Sequence, residues 1–250
     1  MKNDPTVIAR NIWLSYRLLG TSGQSLRGLM AEKVFGSKYN LPMRNFTALK
    51  GIGFEAYEND RIALIGANGA GKTSLLKVIS GIYAPDCGEV WCDGTVMPLL
   101  GGLPGISPDA TGYENIRLSA YSMGVPRSDI QDVIADVRAF SELDDFLHMP
   151  LRTYSSGMSA RLLFSIVTAL KADIFVLDEF AFASGDMFFV EKAKKRAREL
   201  VNSAKTVLIA SHDDRLLRDI CNKGVYLRNG ELVAFGDVNE VLDEYSRERA

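Results

Sequence analysis

The chain has 250 residues, of which 47% are hydrophobic and 24% are charged, and its formal net charge is -2. That composition is ordinary for a globular protein of one large or two small domains, and it excludes a global basic field that would attract nucleic acid. Residues 1–5 lack the apolar core of a signal peptide, and no apolar run approaches the roughly 18 residues needed to cross a bilayer. We therefore expect a cytoplasmic protein that reaches a membrane only by docking to a partner.

A basic segment follows the first predicted strand. The apolar residues within 6–16 predict that strand. Residues 17–50 carry six basic side chains against one acid, Glu32, so this segment has a net charge of +5 in a slightly acidic chain. Such a segment can contact an anionic membrane face or a membrane partner, or it can be a solvated amphipathic insertion. The sequence leaves both interpretations open.

A phosphate-binding loop lies between a predicted strand at 61–65 and a predicted helix at 74–79. Its sequence matches G-x-x-x-x-G-K-T, and the strand and helix on either side are the context that supports such a motif. A glycine-rich turn that binds nothing would not account for the lysine and the hydroxyl residue together. The loop consists of Gly66, Ala67, Asn68, Gly69, Ala70, Gly71, Lys72, Thr73 and Ser74.

Each part of this loop has a predicted role toward a nucleotide. Backbone N–H groups and the helix N-terminus would hold phosphate oxygens, Lys72 would reach the β- and γ-phosphates, and the Thr73 hydroxyl would ligate Mg²⁺. Tyr16, at the end of the first strand, could stack on a purine outside the loop. It could equally be a strand aromatic that packs in the core.

The middle of the chain predicts a hairpin and then a loop. Residues 88–92 and 95–99 read as short strands joined by an Asp-Gly turn at Asp93. Residues 101–108 are rich in glycine and proline, and a loop of this composition fits poorly inside a packed core. We therefore interpret it as a candidate moving or docking part.

A helical subdomain is predicted after this loop. A helix over 111–121 has Thr111 and Glu114 at capping-box spacing, and a second helix covers 127–140. The subdomain begins at about residue 109 and extends to about 165 when the next helix is included. It is predicted to be inserted in an α/β core.

A Ser/Gly turn opens that next helix. Ser155, Ser156 and Gly157 precede residues 159–166, whose apolar residues have helical spacing. A turn of this kind at a helix N-terminus can bind an anion, or its serine can simply cap the helix. In isolation, capping is the simpler interpretation.

Two further apolar strands end in polar residues. Residues 174–177 are followed by Asp178 and Glu179. Because buried parallel strands present their C-terminal ends to the ligand crevice, Asp178 is placed to hold Mg²⁺ and Glu179 to polarise an attacking water or accept its proton. Residues 206–210 form another such strand, and the neutral ring of His212 beyond it can hydrogen-bond a γ-phosphate.

The remaining elements are a basic helix, a hairpin and a last helix. The basic residues within 188–201 predict a solvated outer face rather than a nucleic-acid contact. Residues 224–227 and 231–235 predict a hairpin across an Asn-Gly turn, and 238 to about 247 predict the last helix.

Taken in order, these motifs resemble those of the ATPase subunit of an ABC transporter. The resemblance covers nearly the whole chain and implies an α/β fold. The expected fold is a P-loop NTPase core of the ABC type, with an antiparallel β subdomain and an inserted α-helical subdomain, in a single ABC ATPase domain over 6–245. A short C-terminal hairpin and helix would occupy about 224–247. The implied roles are Walker A for 66–73, the signature motif for 154–158, Walker B for Asp178, the catalytic glutamate for Glu179, the switch histidine for His212 and the adenine-stacking aromatic for Tyr16.

Several motifs of this chain differ from the usual ABC sequences, and the differences indicate a subfamily. The signature is Tyr-Ser-Ser-Gly-Met rather than Leu-Ser-Gly-Gly-Gln, and Ala-Ser-Gly-Asp at 183–186 replaces the usual Ser-Ala-Leu-Asp. This combination resembles exporters of bacterial surface polysaccharides, namely O-antigen and capsule exporters, with wall teichoic acid exporters close by. The usual Q-loop glutamine is replaced by the region of Gly101 and Gly102, so backbone or a neighbouring side chain must supply the coupling contact. Because the sequence ends at residue 250, we expect no appended carbohydrate-binding domain unless the chain is truncated.

The resemblance implies an ATP-driven motor that uses ATP and Mg²⁺. Its expected partners are a polytopic membrane permease subunit and a second copy of itself, with no nucleic acid. The protein would be peripheral at the cytoplasmic face of the bacterial inner membrane. In each site of the homodimer, one chain would supply Lys72, Thr73, Asp178, Glu179 and His212. The other would supply Ser155 and Gly157 against the γ-phosphate.

Three alternatives remain. A soluble ABC-type ATPase acting on DNA or ribosomes usually carries a coiled coil or tandem cassettes, and this chain has neither a heptad run nor a basic total charge. A P-loop nucleotide kinase is disfavoured by the Ser/Gly turn and the Asp-Glu pair. An ABC ATPase for another solute, such as a small-solute importer, is disfavoured only by the subfamily resemblance.

Overall fold

The computed structural model of the chain describes residues 4–18, 44–100, 103–178 and 187–249. Several sequence-based expectations therefore lie outside the described residues. They are those for Glu179, Gly101, Gly102, the 183–186 loop and most of the basic segment.

Nine strands form two sheets in the described residues. A three-stranded antiparallel sheet has the order β2-β1-β4, and a six-stranded sheet has the order β5-β6-β7-β3-β8-β9. The larger sheet is parallel from β5 to β8, and β9 joins it antiparallel. The strands are β1 (Val7–Leu18), β2 (Arg44–Ala56), β3 (Arg61–Ile65), β4 (Cys87–Cys92), β5 (Val96–Leu99), β6 (Ile174–Leu177), β7 (Thr206–Ala210), β8 (Lys223–Arg228) and β9 (Glu231–Asp237).

Helices cover both faces of the larger sheet. Two short 3-10 turns, Asp144–His148 and Leu151–Thr153, connect helices of the inserted subdomain. The predicted capping box is confirmed, because Thr111 Oγ1 accepts from the Glu114 N–H and Glu114 accepts from the Thr111 N–H. The helices are α1 (Lys72–Ile79), α2 (Gly112–Ser122), α3 (Ile130–Ser141), α4 (Ser156–Ala169), α5 (Met187–Ser203), α6 (Asp214–Ile220) and α7 (Val238–Arg249).

The alternation of side chains along the central strands divides the protein into two hydrophobic cores. In β3, Ile62 and Leu64 point into the core shared with α1 and the antiparallel sheet. Ala63 and Ile65 point to the opposite face, into the core shared with the helical subdomain. Because strand side chains alternate with a period of two, every residue of a central strand is buried on one face or the other. This explains why β3, β6 and β7 are continuous apolar runs.

The predicted hairpin over residues 88–99 is wrong. β4 pairs with β1 in the antiparallel sheet, whereas β5 pairs with β6 in the parallel one, so the Asp-Gly turn carries the chain from one sheet to the other. Gly94 has φ 110°, and a Cβ there would lie 2.2 Å from the Asp173 carboxylate. The same carboxylate accepts a hydrogen bond from the Thr95 N–H at 2.8 Å, and this bond lowers the pKa of Asp173. A tertiary contact therefore holds the turn, and no cross-strand pairing does.

The described part of the Gly/Pro-rich loop is bound to α2. Asn115 is fully buried, and its amide accepts from the Ser107 N–H at 2.7 Å. It donates to the carbonyls of Ser107, Ala110 and Thr111, each at 3.0 Å. Since buried polar groups are costly without partners, these bonds fix the loop on the helical subdomain. Residues 103–108 are therefore expected to move with α2 rather than independently.

Replacing Asn115 with alanine should lower the free energy of unfolding by about 1–3 kcal/mol, because the Ser107 N–H loses its acceptor and three loop carbonyls each lose one of their two donors. Urea unfolding followed by circular dichroism measures this change. Asn202→Ala, at an exposed position of α5, is the matched control and should change stability by less than about 0.5 kcal/mol. A similar small effect at Asn115 would mean that the amide does not hold the loop.

The basic helix α5 is not only a solvated face, in contrast to the sequence-based expectation. Arg196 pairs with Asp136 of α3 and lies 4.4 Å above the Phe140 ring. Lys192 donates to Glu142 at 2.6 Å and lies 4.7 Å above the same ring. Arg196 and Lys192 therefore attach α5 to the helical subdomain.

Candidate functional site

The ends of three neighbouring parallel strands bring the predicted motifs to one edge of the sheet. β6, β7 and β3 are adjacent, with Leu177 opposite Ile209 and Leu64 opposite Ala210. The residues that follow these strands leave at the same C-terminal edge, where ligands bind in open α/β sheets. The phosphate loop, Asp178 and the segment containing His212 are these following residues.

Two glycines allow the phosphate loop to turn tightly against neighbouring backbone. Gly66 has φ 145°, and a Cβ there would lie 2.3 Å from the Leu227 carbonyl oxygen. Gly71 has φ 109°, and its Cβ would lie 2.8 Å from the Ala48 carbonyl oxygen. The loop is also joined to the β8–β9 turn, because Gly230 N–H donates to the Ala70 carbonyl at 3.0 Å. Backbone on two sides therefore fixes the shape of the loop.

The helix that follows the loop leaves its first N–H groups for a ligand. Within the part of the chain that the structure describes, no side chain caps α1 at Gly71, and the first turn of α1 contains no acidic residue. Thr111, Ser155 and Asp213 cap α2, α4 and α6 with side-chain oxygens, whereas Asp129 at the start of α3 makes no such bond. Because the first N–H groups of any helix lack intrahelical acceptors, an uncapped start is suited to an anion. This geometry fits a phosphate group.

Lys72 is folded over its own loop. Its Nζ donates to the Gly66 carbonyl at 2.6 Å and to the Ala67 carbonyl at 3.1 Å. These bonds keep the ammonium group close to the N-terminus of α1. The cation and the helix end therefore act on the same small volume.

Thr73 and Asp178, predicted from motifs far apart in the sequence, are in direct contact. Thr73 Oγ1 donates to Asp178 Oδ2 at 2.9 Å. The Asp178 N–H donates to the Leu99 carbonyl at 3.0 Å, which holds the carboxylate at the end of its strand. A hydroxyl and a carboxylate oxygen side by side are the hard ligands that Mg²⁺ prefers, next to a place for phosphate. The residues present therefore fit the ion.

Tyr16 meets the site through its hydroxyl. Its oxygen lies 2.9 Å from Ser74 Oγ in the first turn of α1, and its ring contacts the Tyr83 ring. The ring is partly buried against the core between the two sheets. One part of the side chain thus packs in the core while the hydroxyl reaches the phosphate loop, and stacking of the ring on a purine stays a prediction.

The Ser/Gly turn forms a helix cap in the single chain. Ser155 Oγ accepts from the Met158 N–H at 3.2 Å, and α4 begins at Ser156, earlier than the 159–166 run indicated. Ser155 and Ser156 are exposed, and a Cβ at Gly157 would meet nothing nearer than Ser155 Oγ at 4.0 Å. Neither folding strain nor crowding within the chain requires glycine at this position. No described contact joins this turn to the phosphate loop of the same chain.

His212 is exposed and lies just beyond the C-terminal end of β7. It follows β7, and the next residue, Asp213, caps α6 by accepting from the Arg215 and Leu216 N–H groups. Asp213 N–H in turn donates to Ser211 Oγ at 3.1 Å. The histidine is therefore carried on a short turn fixed on both sides. The roles predicted for His212 and for Glu179 stay predictions.

Residues after α1 were missed by sequence reasoning. Asp86 accepts from the Ser15 N–H at 2.6 Å, and Tyr83 contacts Tyr16, so the turn after α1 supports the end of β1. The available signal was an aromatic residue just beyond a helix that begins with the phosphate loop. That signal has no fixed spacing, so it could not be distinguished from a surface tyrosine.

The matched protein family is described as ABC transporter, and its model covers residues 49–181. The O-antigen export system ATP-binding protein RfbE of Yersinia enterocolitica is 36% identical over 90% of this chain and 95% of its own length. The O-antigen export system ATP-binding protein RfbB of Klebsiella pneumoniae is 33% identical over 99% of this chain and 100% of its own length. The teichoic acids export ATP-binding protein TagH of Lactococcus lactis is 38% identical over 82% of this chain but only 43% of its own length.

Solved structures share the fold. The ATP-binding subunit of an ABC transporter superposes with a TM-score of 0.72 at 19% identity, covering 97% of this chain and 98% of the other. A dimeric ATP-binding cassette bound to ADP and Pi superposes with a TM-score of 0.69, also at 19% identity, covering 93% of this chain and 98% of the other. Within the described residues, no helix has the length and apolar character to cross a membrane. The motifs of this chain meet at one edge of the sheet, its sequence matches the family model, and its relatives are named as ATP-binding proteins. The chain therefore belongs to the ABC transporter family as an ATP-binding subunit.

Proposed function

We propose that this chain is the ATP-hydrolysing subunit of an exporter of a bacterial surface polysaccharide, peripheral at the cytoplasmic face of the inner membrane. The observation that supports binding of ATP with Mg²⁺ is the contact between Thr73 and Asp178 beside an uncapped helix start, and the family match supports hydrolysis of that ATP. The support for the substrate class is the similarity, over nearly the whole chain, to proteins named for O-antigen export. The polymer would be O-antigen, capsule or a related lipid-linked glycan.

ATP would bind with its phosphates over the N-terminus of α1. Lys72 would exchange its bonds to loop carbonyls for bonds to the β- and γ-phosphates, and backbone N–H groups of the loop would hold the remaining oxygens. Thr73 and Asp178 would hold Mg²⁺, directly or through water. When bound, the ion would neutralise negative charge on the phosphate oxygens. The base would lie against Tyr16.

Hydrolysis would use two residues at neighbouring strand ends. Glu179 would orient the attacking water and accept its proton, and His212 would hydrogen-bond the γ-phosphate from the next strand. Phosphoryl transfer needs little covalent chemistry from the protein and depends mainly on positioning and charge stabilisation. The fixed turn around Asp213 suits that requirement for His212.

A second copy of the chain would complete each site. Ser155 and Gly157 of one copy would approach the γ-phosphate held by the other, with the N-terminus of α4 adding its partial positive charge. The open space beside Gly157 supports this arrangement, since a close approach by another molecule favours glycine where the chain itself does not. The two copies would close on ATP and open after hydrolysis. The helical subdomain would transmit this motion to a polytopic membrane permease. The 103–108 loop would take part as a portion of that subdomain.

The variant Ser155→Asp distinguishes a cap from a partner-facing phosphate site. Aspartate caps helices as well as serine does, so the melting temperature should stay the same or rise slightly. A carboxylate facing the partner's ATP should lower ATPase activity by about 100-fold or more and prevent ATP-dependent dimers. Activity is measured by phosphate release, and dimers by light scattering with ATP.

Ser128→Asp is the matched control, because it adds the same charge at an exposed position just before α3 in the same subdomain. It should leave turnover and dimer formation as they are. If Ser155→Asp also keeps full turnover, the Ser/Gly turn is only a cap and the proposed composite site is wrong.

A further inference from the structure

Tyr83 is held on two sides although 37% of it is exposed. Its ring centroid lies 5.9 Å from that of Tyr16, with an interplanar angle of 75°. On the same ring, Lys77 Nζ lies 5.3 Å from the centroid. Two rings in an edge-to-face arrangement attract each other, and an ammonium group is attracted to the face of a ring. These two contacts hold the Tyr83 ring between Tyr16 and α1.

The backbone near Tyr83 joins α1 to the end of β1. The Tyr83 N–H donates to the Lys77 carbonyl at 3.2 Å, which closes the turn after α1. Asp86 N–H donates to the Trp13 carbonyl at 2.8 Å, and the Asp86 carboxylate accepts from the Ser15 N–H at 2.6 Å. The turn is therefore bound both to the helix that starts at the phosphate loop and to the strand that carries Tyr16.

Tyr16 is consequently fixed at two points. Its hydroxyl lies 2.9 Å from Ser74 Oγ at the start of α1, and its ring meets Tyr83 beyond the end of α1. A side chain with few torsions that is held at both its tip and its ring has one orientation. A ring oriented before its ligand arrives loses little freedom on binding, and this strengthens binding.

We propose that Tyr83 is a positioning residue for the base end of the nucleotide site. It acts through Tyr16 by keeping that ring in the orientation against which the purine stacks. This inference rests on the proposed function, which assigns Tyr16 to the base. It predicts a selective effect on ligands that carry a base and no effect on phosphate binding.

The test compares Tyr83→Ala and Tyr83→Phe in the full chain. Calorimetry with ATP and with inorganic tripolyphosphate separates base binding from phosphate binding. Tyr83→Ala should weaken ATP binding about 3- to 10-fold, the size expected for one aromatic contact, and leave tripolyphosphate binding as in the unmodified protein. The KM for ATP should rise by a similar factor while kcat stays within about twofold. Tyr83→Phe keeps the ring and should bind ATP normally, as should the control Tyr121→Ala, at an exposed tyrosine of α2.

Tyr16→Ala and the double variant separate the two claims. If Tyr83 acts through Tyr16, the double variant should bind ATP no more weakly than Tyr16→Ala alone. If Tyr16→Ala leaves ATP affinity unchanged, the base assignment in the proposed function is wrong. If Tyr16→Ala weakens ATP binding but Tyr83→Ala does not, or if Tyr83→Ala weakens tripolyphosphate equally, only the positioning role is overturned.

Discussion

Replacing Glu179 with glutamine should lower steady-state ATP hydrolysis by about 100-fold or more while ATP still binds. Glutamine keeps the shape of the side chain but cannot accept a proton, and general-base catalysis commonly contributes 10²–10⁴-fold. Because the ATP-bound state would then persist, the variant should accumulate as a dimer in the presence of ATP. Phosphate release measures the first effect, and light scattering with and without ATP measures the second.

The matched control is Glu199→Gln on α5, an exposed glutamate outside the strand edge. It should retain normal turnover and show no trapped dimer. Wild-type turnover in Glu179→Gln would remove Glu179 from the role of base. Loss of turnover together with loss of ATP binding would instead indicate that the side chain shapes the site.

The second large effect is expected at Lys72, whose replacement by methionine keeps the length of the side chain and removes its charge. Charge-assisted hydrogen bonds contribute about 1.5–3 kcal/mol each, so losing contacts to two phosphates should weaken ATP binding by about 10²–10⁴-fold. Calorimetric titration with ATP measures the change. Binding of tripolyphosphate should fall in parallel, because the lost contacts are to phosphate.

Lys171→Ala removes an exposed lysine just beyond α4 and should leave ATP affinity unchanged. A Lys72→Met protein that binds ATP within about threefold of the unmodified protein would contradict the assigned role. In that case the loop carbonyl bonds of Lys72 would be its main function, and a change in thermal stability without ligand would be the expected sign.

The strand–loop–helix unit of the phosphate site could be predicted because its determinants are local. The strand Arg61–Ile65 is confirmed to the residue, and α1 begins at Lys72 inside the motif. Glycines at fixed positions, an apolar run before them and helical spacing after them all lie within one short stretch. The meeting of Thr73 with Asp178 followed from the rule that parallel strands share a C-terminal edge.

Features that depend on contacts distant in sequence could not be predicted. An Asp-Gly turn between two short apolar runs is typical of a hairpin, but Asp173, from the segment before β6, holds it as a link between sheets. The attachment of α5 through Arg196 and Lys192 depends on Phe140 in another helix. The support of Tyr16 by Tyr83 likewise depends on the path of β1. In each case the partner is not visible in the local pattern.

The measurement that tests the account most directly is affinity capture of the tagged protein from solubilised native membranes, with mass spectrometry of the proteins that co-purify. The account predicts a polytopic membrane protein that has no ATPase domain of its own, encoded near glycosyltransferase genes. Recovery of ribosomes or DNA-associated proteins instead, with no polytopic partner, would contradict the account and favour a soluble ATPase.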